Sequence, residues 1–241
     1  MARRLRSRAD LDDEDCRAII ALPHAVRVYE APAYIIREGG PPTSYCTLIL
    51  SGLAFRQKVT LTGARQIVSI HMAGDFIDLQ HLFLKRADHS VQALSRVEAV
   101  DIERSALRQL IIDRPAVGRA MWTDALIEGS VFREWVVNVG RRDAKTRVAH
   151  LLCEFALRMQ AAGLANGEGF ELPMTQEQIG DAVGLTSVHV NRTLKLLAAE
   201  GLIERDKRFV KYRDWQRLQH VGDFTSLYLH LDQAGGEQKT L

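Results

Sequence analysis

Of 241 residues only three are cysteine, Cys16, Cys46 and Cys153, odd in number and far apart. That argues against a disulfide framework and suggests a reducing cytoplasm. No two stand at the spacing of a zinc or iron–sulfur ligand pair, so each reads as a small hydrophobe. No stretch approaches the roughly 18 apolar residues that cross a bilayer. The start, Met1 to Arg8, imitates the basic end of an export signal, but Leu11-Asp12-Asp13-Glu14-Asp15 puts acid where an apolar segment should follow. Asp12 to Asp15 reads instead as an exposed acidic face. Net charge is small too: 32 lysines and arginines against 30 acids leave +2, too little to announce a polyanionic partner. No Ser–His–Asp order, phosphate loop or paired His–Glu zinc motif appears, which speaks against an enzyme. With 46% apolar and 26% charged residues the chain is globular, and its length suits one large domain or two small ones.

Residues 24 to about 102 read as β structure. Tyr45–Leu50, Leu53–Leu61 and Gln66–His71 are β-prone runs closed by Gly52, Gly63 and Gly74, which fall 11 residues apart. Short strands with tight glycine turns suggest a compact sandwich or barrel, continued by two strands within Ser90–Ile102. Near Ser105 the pattern changes. Pro115 suits a first helical turn, and Val117, Met121, Ala125, Phe132, Trp135 and Val139 recur at helical spacing to Gly140. So long an amphipathic helix needs a cover for its apolar face; a second copy of the chain is the simplest one, and the alternative is that the helix lies on its own β domain. Arg141-Arg142-Asp143 reads as a hinge. A further helix over Ala144–Ala162 is broken by Gly163, Asn166, Gly167 and Gly169.

The most informative segment is 170–224. Thr175 and Gln178 form a capping box, Gly184 can take a left-handed conformation, and Thr186 can cap a second helix to about Glu200. Ile179, Val183, Leu185, Val190, Leu194 and Leu197 supply the core between the two helices, and Gly180 lets them cross closely. That is a helix-turn-helix pattern. Charge concentrates here: Thr186 to Arg217 holds eight lysines or arginines against four acids. Ser187, Val188, Asn191, Arg192 and Lys195 share the outward side of the second helix. Arg192 suits guanine, Asn191 adenine or a phosphate, and Val188 a thymine methyl; Ser187, His189 and Lys195 suit phosphates. Residues 201–212 form a hairpin with Lys207 and Arg208 at its basic tip. Thr175 completes the set of expected DNA contacts. A last helix starts near Asp214.

These residues resemble the Crp/Fnr family of bacterial transcription regulators over roughly residues 25–225. The strongest stretches are Gly74-Asp75-Phe76-Ile77, the glycine-spaced strands before it, and Thr175–Ile203. The resemblance implies an α+β fold: a double-stranded, jelly-roll-like β-roll of the cyclic-nucleotide-binding type over 1–112, a dimerisation helix over 113–140, and a winged helix-turn-helix over 141–241. It places the family's recognition arginine at Arg192, with Val188 where many members carry a base-reading glutamate. The effector pocket would fall on Gly74, Asp75, Phe76, Leu79, His89 and Ser90. Leu79 and His89 would stand where the family carries the glutamate and arginine that hold cyclic AMP, with Ser90 at its serine, so cyclic AMP is expected to bind weakly or not at all. Only Cys16 stands where oxygen sensors of the family carry a cysteine cluster. No cofactor or metal is expected; His71, His81 and His89 read as ordinary polar residues, although they could form a metal or haem site, and Lys85 and Arg86 are candidates for another anion.

The expected function is thus a homodimeric, sequence-specific DNA-binding regulator on a pseudo-palindromic operator. Its partners are double-stranded DNA, a second copy of itself and, by the resemblance, RNA polymerase. The alternative is a ligand-binding module that acts on a protein partner without DNA. The long helix and Gly140–Asp143 are the natural bistable element of such a regulator.

Overall fold

The computed structural model describes residues 1–41, 43–165 and 168–231. Two short helices come first, α1 (Ala2–Arg6) and α2 (Asp13–Ile20). Asp12 caps α2 reciprocally: its carboxylate accepts the Asp15 amide at 2.7 Å, and the Asp15 carboxylate accepts the Asp12 amide at 3.3 Å. Asp15 is buried. The acidic run is therefore a helix start, where the macrodipole favours negative charge, and not simply an exposed acidic face.

Among the described residues seven strands follow: β1 (His24–Tyr29), β2 (Tyr34–Ile36), β3 (Tyr45–Ser51), β4 (Ala54–Val59), β5 (Arg65–His71), β6 (Ser90–Ala93) and β7 (Val97–Glu103). They form two sheets, ordered β1-β7-β3 and β2-β6-β4-β5, the two layers of the roll. Gly52, Gly63 and Gly74 all have positive φ. At Gly52 a Cβ would stand 2.1 Å from the Arg96 carbonyl oxygen, so only glycine fits.

Helix α3 (Arg104–Asp113) leads into α4 (Pro115–Arg141), and α5 (Ala144–Ala161) starts after a break at Arg142. Asp143 caps α5 by accepting the Thr146 amide at 2.9 Å. Gly140 lies inside α4, which narrows the expected hinge to Arg142 and Asp143. Gly163 ends α5, Gly169 opens a strand, and the expected breakers Asn166 and Gly167 lie outside the described residues. Two compact units result: Met1–Lys58 with Ser69–Gly129, and Val59–Val68 with Ser130–Leu229.

The expected dimerisation residues need correction. Val117 and Met121 are 0% and 2% exposed, in a cluster with Leu5, Leu107 and Leu110 of their own chain. Trp135 is also buried, and its indole N–H donates to the Glu154 carboxylate at 2.9 and 3.1 Å. Glu154 also accepts the Tyr228 hydroxyl at 2.9 Å. Ala125 and Val139 are half-buried, while Phe132 is exposed. The outward apolar residues of α4 are Trp122, Leu126, Phe132, Val136 and Val137. α4 is apolar on more than one side, and the periodicity that stands out in the sequence is mainly the side its own chain covers.

Candidate nucleic-acid interface and effector chamber

Helices α6 (Gln176–Val183) and α7 (Ser187–Ala199) follow from local signals. The Thr175 hydroxyl oxygen accepts the Gln178 amide at 3.1 Å, and the Gln178 side chain accepts the Thr175 amide at 2.8 Å. Gly184 ends α6 at φ +67°, and the Thr186 hydroxyl accepts the His189 amide at 3.3 Å. A Cβ on Gly180 would lie 2.3 Å from the Leu185 carbonyl oxygen. Gly180 therefore makes room for the turn's backbone and not simply for the facing helix. Ile179, Val183, Val190, Leu194 and Leu197 are buried between the helices; Leu185 is half-buried.

With that underside buried, Ser187, Val188, His189, Arg192 and Lys195 point to solvent. Among the described residues Arg192 and Lys195 make no ion pair, so their charge is available to a partner. Asn191 is half-buried, and its amide N–H donates to the Gln176 side chain at 3.0 Å. This ties Asn191 to the start of α6, a link no local pattern announces, and brings Gln176 to the same surface. Thr175 is exposed, and its hydroxyl hydrogen is not used by the cap.

Strands β8 (Gly169–Glu171), β9 (Ile203–Asp206) and β10 (Phe209–Tyr212) form one sheet, ordered β8-β10-β9. The hairpin is thus a three-stranded wing; only the apolar alternation of Phe170 and Leu172 hints at the extra strand. Lys207 turns the tip at φ +52°, and Lys207 and Arg208 are exposed. Part of the local basic excess is neutralised, since Lys211 pairs with Glu168 at 3.4 Å and Arg213 pairs with Glu204. Helix α8 (Trp215–Val221) is capped by Asp214, whose carboxylate accepts the Arg217 amide at 3.0 Å.

Residues 146–221 match the Crp-like helix-turn-helix domain, and residues 26–114 the cyclic nucleotide-binding domain. A probable transcriptional activator of Rhizobium leguminosarum bv. viciae is 32% identical over 81% of this chain and 80% of its own length. The chain belongs to the Crp/Fnr family of bacterial transcription regulators. The transcriptional activator protein FnrL of Cereibacter sphaeroides is 28% identical over 82% of this chain and 80% of its own. The solved structure of FixK2 from Bradyrhizobium japonicum superposes with a TM-score of 0.74 at 27% identity, covering 83% of this chain and 98% of that one.

The Crp/Fnr roll raises the question of a cyclic nucleotide, and the side chains present do not fit one. Asp75 is buried: its carboxylate accepts the Met72 amide at 3.0 Å and pairs with Arg4 at 3.0 Å. Phe76 is buried, Leu79 packs on the apolar cluster, and the Ser90 hydroxyl accepts the Glu38 amide at 2.9 Å. His89, expected in the effector pocket, lies buried. Its Nδ1 is 2.7 Å from an Asp88 carboxylate oxygen and its Nε2 is 3.3 Å from the Gln80 amide nitrogen. Nδ1–H therefore donates to Asp88, and Nε2 of the neutral ring accepts from Gln80. Burial, with the nearby charge of Arg56, lowers the His89 pKa. A neutral ring that presents an acceptor is the wrong partner for a phosphate. His71 and His81 are buried as well, and no group of three His, Cys, Asp or Glu among the described residues could hold a metal. Lys85 and Arg86 are exposed.

The lowered His89 pKa has a stability consequence. An unfolded histidine ionises near 6.5, above folded His89, so the unfolded chain takes up the proton first as pH falls. Stability should decline as pH drops below about 6.5 toward the folded value. Urea titrations at pH 7.5, 6.5 and 5.5 should show the decline, and His89→Gln should make it shallower. Parallel curves for the two proteins would remove His89 as its source.

Proposed function

We propose that this regulator is a cytoplasmic homodimer that reads a pseudo-palindromic operator with α7 in the major groove and the wing on the adjacent backbone. Residues 1–112 serve as the sensor-like roll, 113–140 as the dimerisation helix and 141–241 as the reading domain. The carrying observation is the exposed row Ser187, Val188, His189, Arg192 and Lys195 above a fully packed underside. Arg192 supplies a bidentate pair to guanine O6 and N7; Ser187, His189, Lys195 and Thr175 hold phosphates. Asn191 keeps its amide oxygen for a base or a water. Val188 favours a thymine methyl, so the half-site differs from one read by a glutamate. Two copies joined along Trp122, Leu126, Val136 and Val137 would present their recognition helices about 34–36 Å apart. The relatives named as activators support activation, through contact with RNA polymerase.

Selection of bound sequences from random DNA with the purified chain tests this reading; an enriched inverted repeat is the expected result, and no enrichment would refute it. The wing adds a separate expectation. Lys207→Ala or Arg208→Ala should weaken specific and random DNA alike and lower the slope of log K against log salt by about 0.9 each. Anisotropy titrations across a salt series measure it, and an unaltered slope would take the tip off the backbone.

A further inference from the structure

We propose that the chain's own ion pairs replace a small-molecule effector between the roll and α4, so that its DNA-competent form needs no ligand. Arg56 on β4 is the centre of the arrangement. It pairs in register with Val91 of β6, next to Ser90 and His89. One arm of its guanidinium donates to the Glu128 carboxylate on α4. The other donates to the Ile77 carbonyl at 3.0 Å, directly after Gly74-Asp75-Phe76. One side chain thus joins β4, the glycine-turn segment and the long helix, near the buried His89.

A second set of pairs repeats the bridge one turn earlier on α4. Asp124 accepts Arg4 at 3.1 Å and Arg8 at 2.9 Å, and Arg4 reaches Asp75 at 3.0 Å. Leu5, between those arginines, is 1% exposed and anchors α1 in the core. A Cβ on Gly74 would lie 3.4 Å from the Arg4 Cβ, so the turn also carries α1. Arg4, Arg8 and Arg56 balance Asp75, Asp124 and Glu128. An anionic ligand entering here would have to break a partly buried pair, and a buried charge left alone is costly. An effector acts by holding two elements together in one of two states. Side chains belonging to both elements do the same without a binding step.

The proposal rests on the DNA-binding reading, and the test separates the two. Selection from random DNA is run with the full chain, shown ligand-free by native mass spectrometry, both without nucleotide and with cyclic AMP and cyclic GMP. The expected result is the same enriched repeat in both arms, with affinity changing less than about twofold on adding nucleotide. Arg56→Gln and Glu128→Gln should each weaken operator binding about tenfold, within the usual range of coupling between sites. The exchange Arg56→Glu with Glu128→Arg should recover most of that loss. Glu128→Gln, the milder change, answers if Arg56→Gln does not fold. Enrichment only with nucleotide, or folded Arg56 and Glu128 variants that bind like the parent, would overturn this proposal alone. No enrichment in either arm would overturn the DNA reading and this proposal with it.

Discussion

Arg192→Ala should lower affinity for the selected operator by about 1–3 kcal/mol per half-site while leaving affinity for random DNA nearly unchanged. The asymmetry follows from what the guanidinium does. It is exposed and makes no ion pair among the described residues, so its removal costs the fold little. On a guanine it satisfies two acceptors at once, and a wrong base leaves that fork unmet. Arg192→Lys is the sharper control: the charge remains, the bidentate geometry is lost, and specificity should fall while the salt slope holds. Competition gel shifts with operator and scrambled duplexes measure both. Equal losses on the two duplexes would place Arg192 on a phosphate.

Joint replacement of Leu126 and Val136 by glutamate should turn a dimer into a folded monomer and lower operator affinity by about 10²–10⁴. These side chains are 56% and 57% exposed, so charge is tolerated in the single chain. Across a two-fold axis the same change faces carboxylates against each other on an apolar seam. A monomer also loses the gain from delivering its second recognition helix already in place. Sedimentation velocity gives the mass and circular dichroism the fold. A variant that still sediments as a dimer would move the interface off this side of α4.

Much of the exposed row on α7 is legible in the sequence. Thr175 with Gln178, Gly184 and Thr186 act through bonds or dihedrals that span three residues or fewer, so their spacing carries their meaning. The apolar set Ile179, Val190, Leu194 and Leu197 leaves one side for Ser187, Arg192 and Lys195 by helical geometry alone. The glycines at 52, 63 and 74 marked the roll's turns for the same local reason. Periodicity failed on α4, because it shows that a side is apolar but not what covers it. Val117, Met121 and Trp135 went to their own chain; Trp122, Leu126, Val136 and Val137 were left outside.

The sequence alone determined the succession of a glycine-turned β domain, a long helix and a helix-turn-helix with an outward cationic row. Those features depend on neighbours within one turn or one hairpin. Only the tertiary structure decided which side of α4 is free, that β8 joins the wing, and that Asn191 leans on Gln176. It also brought Arg56 to Glu128, 72 residues on, and Arg4 to Asp124, 120 residues on. Pairings over such distances leave no periodic trace, since many arginines and acids could satisfy the same charge balance. Which of them meet is settled by how the two sheets and the helices pack.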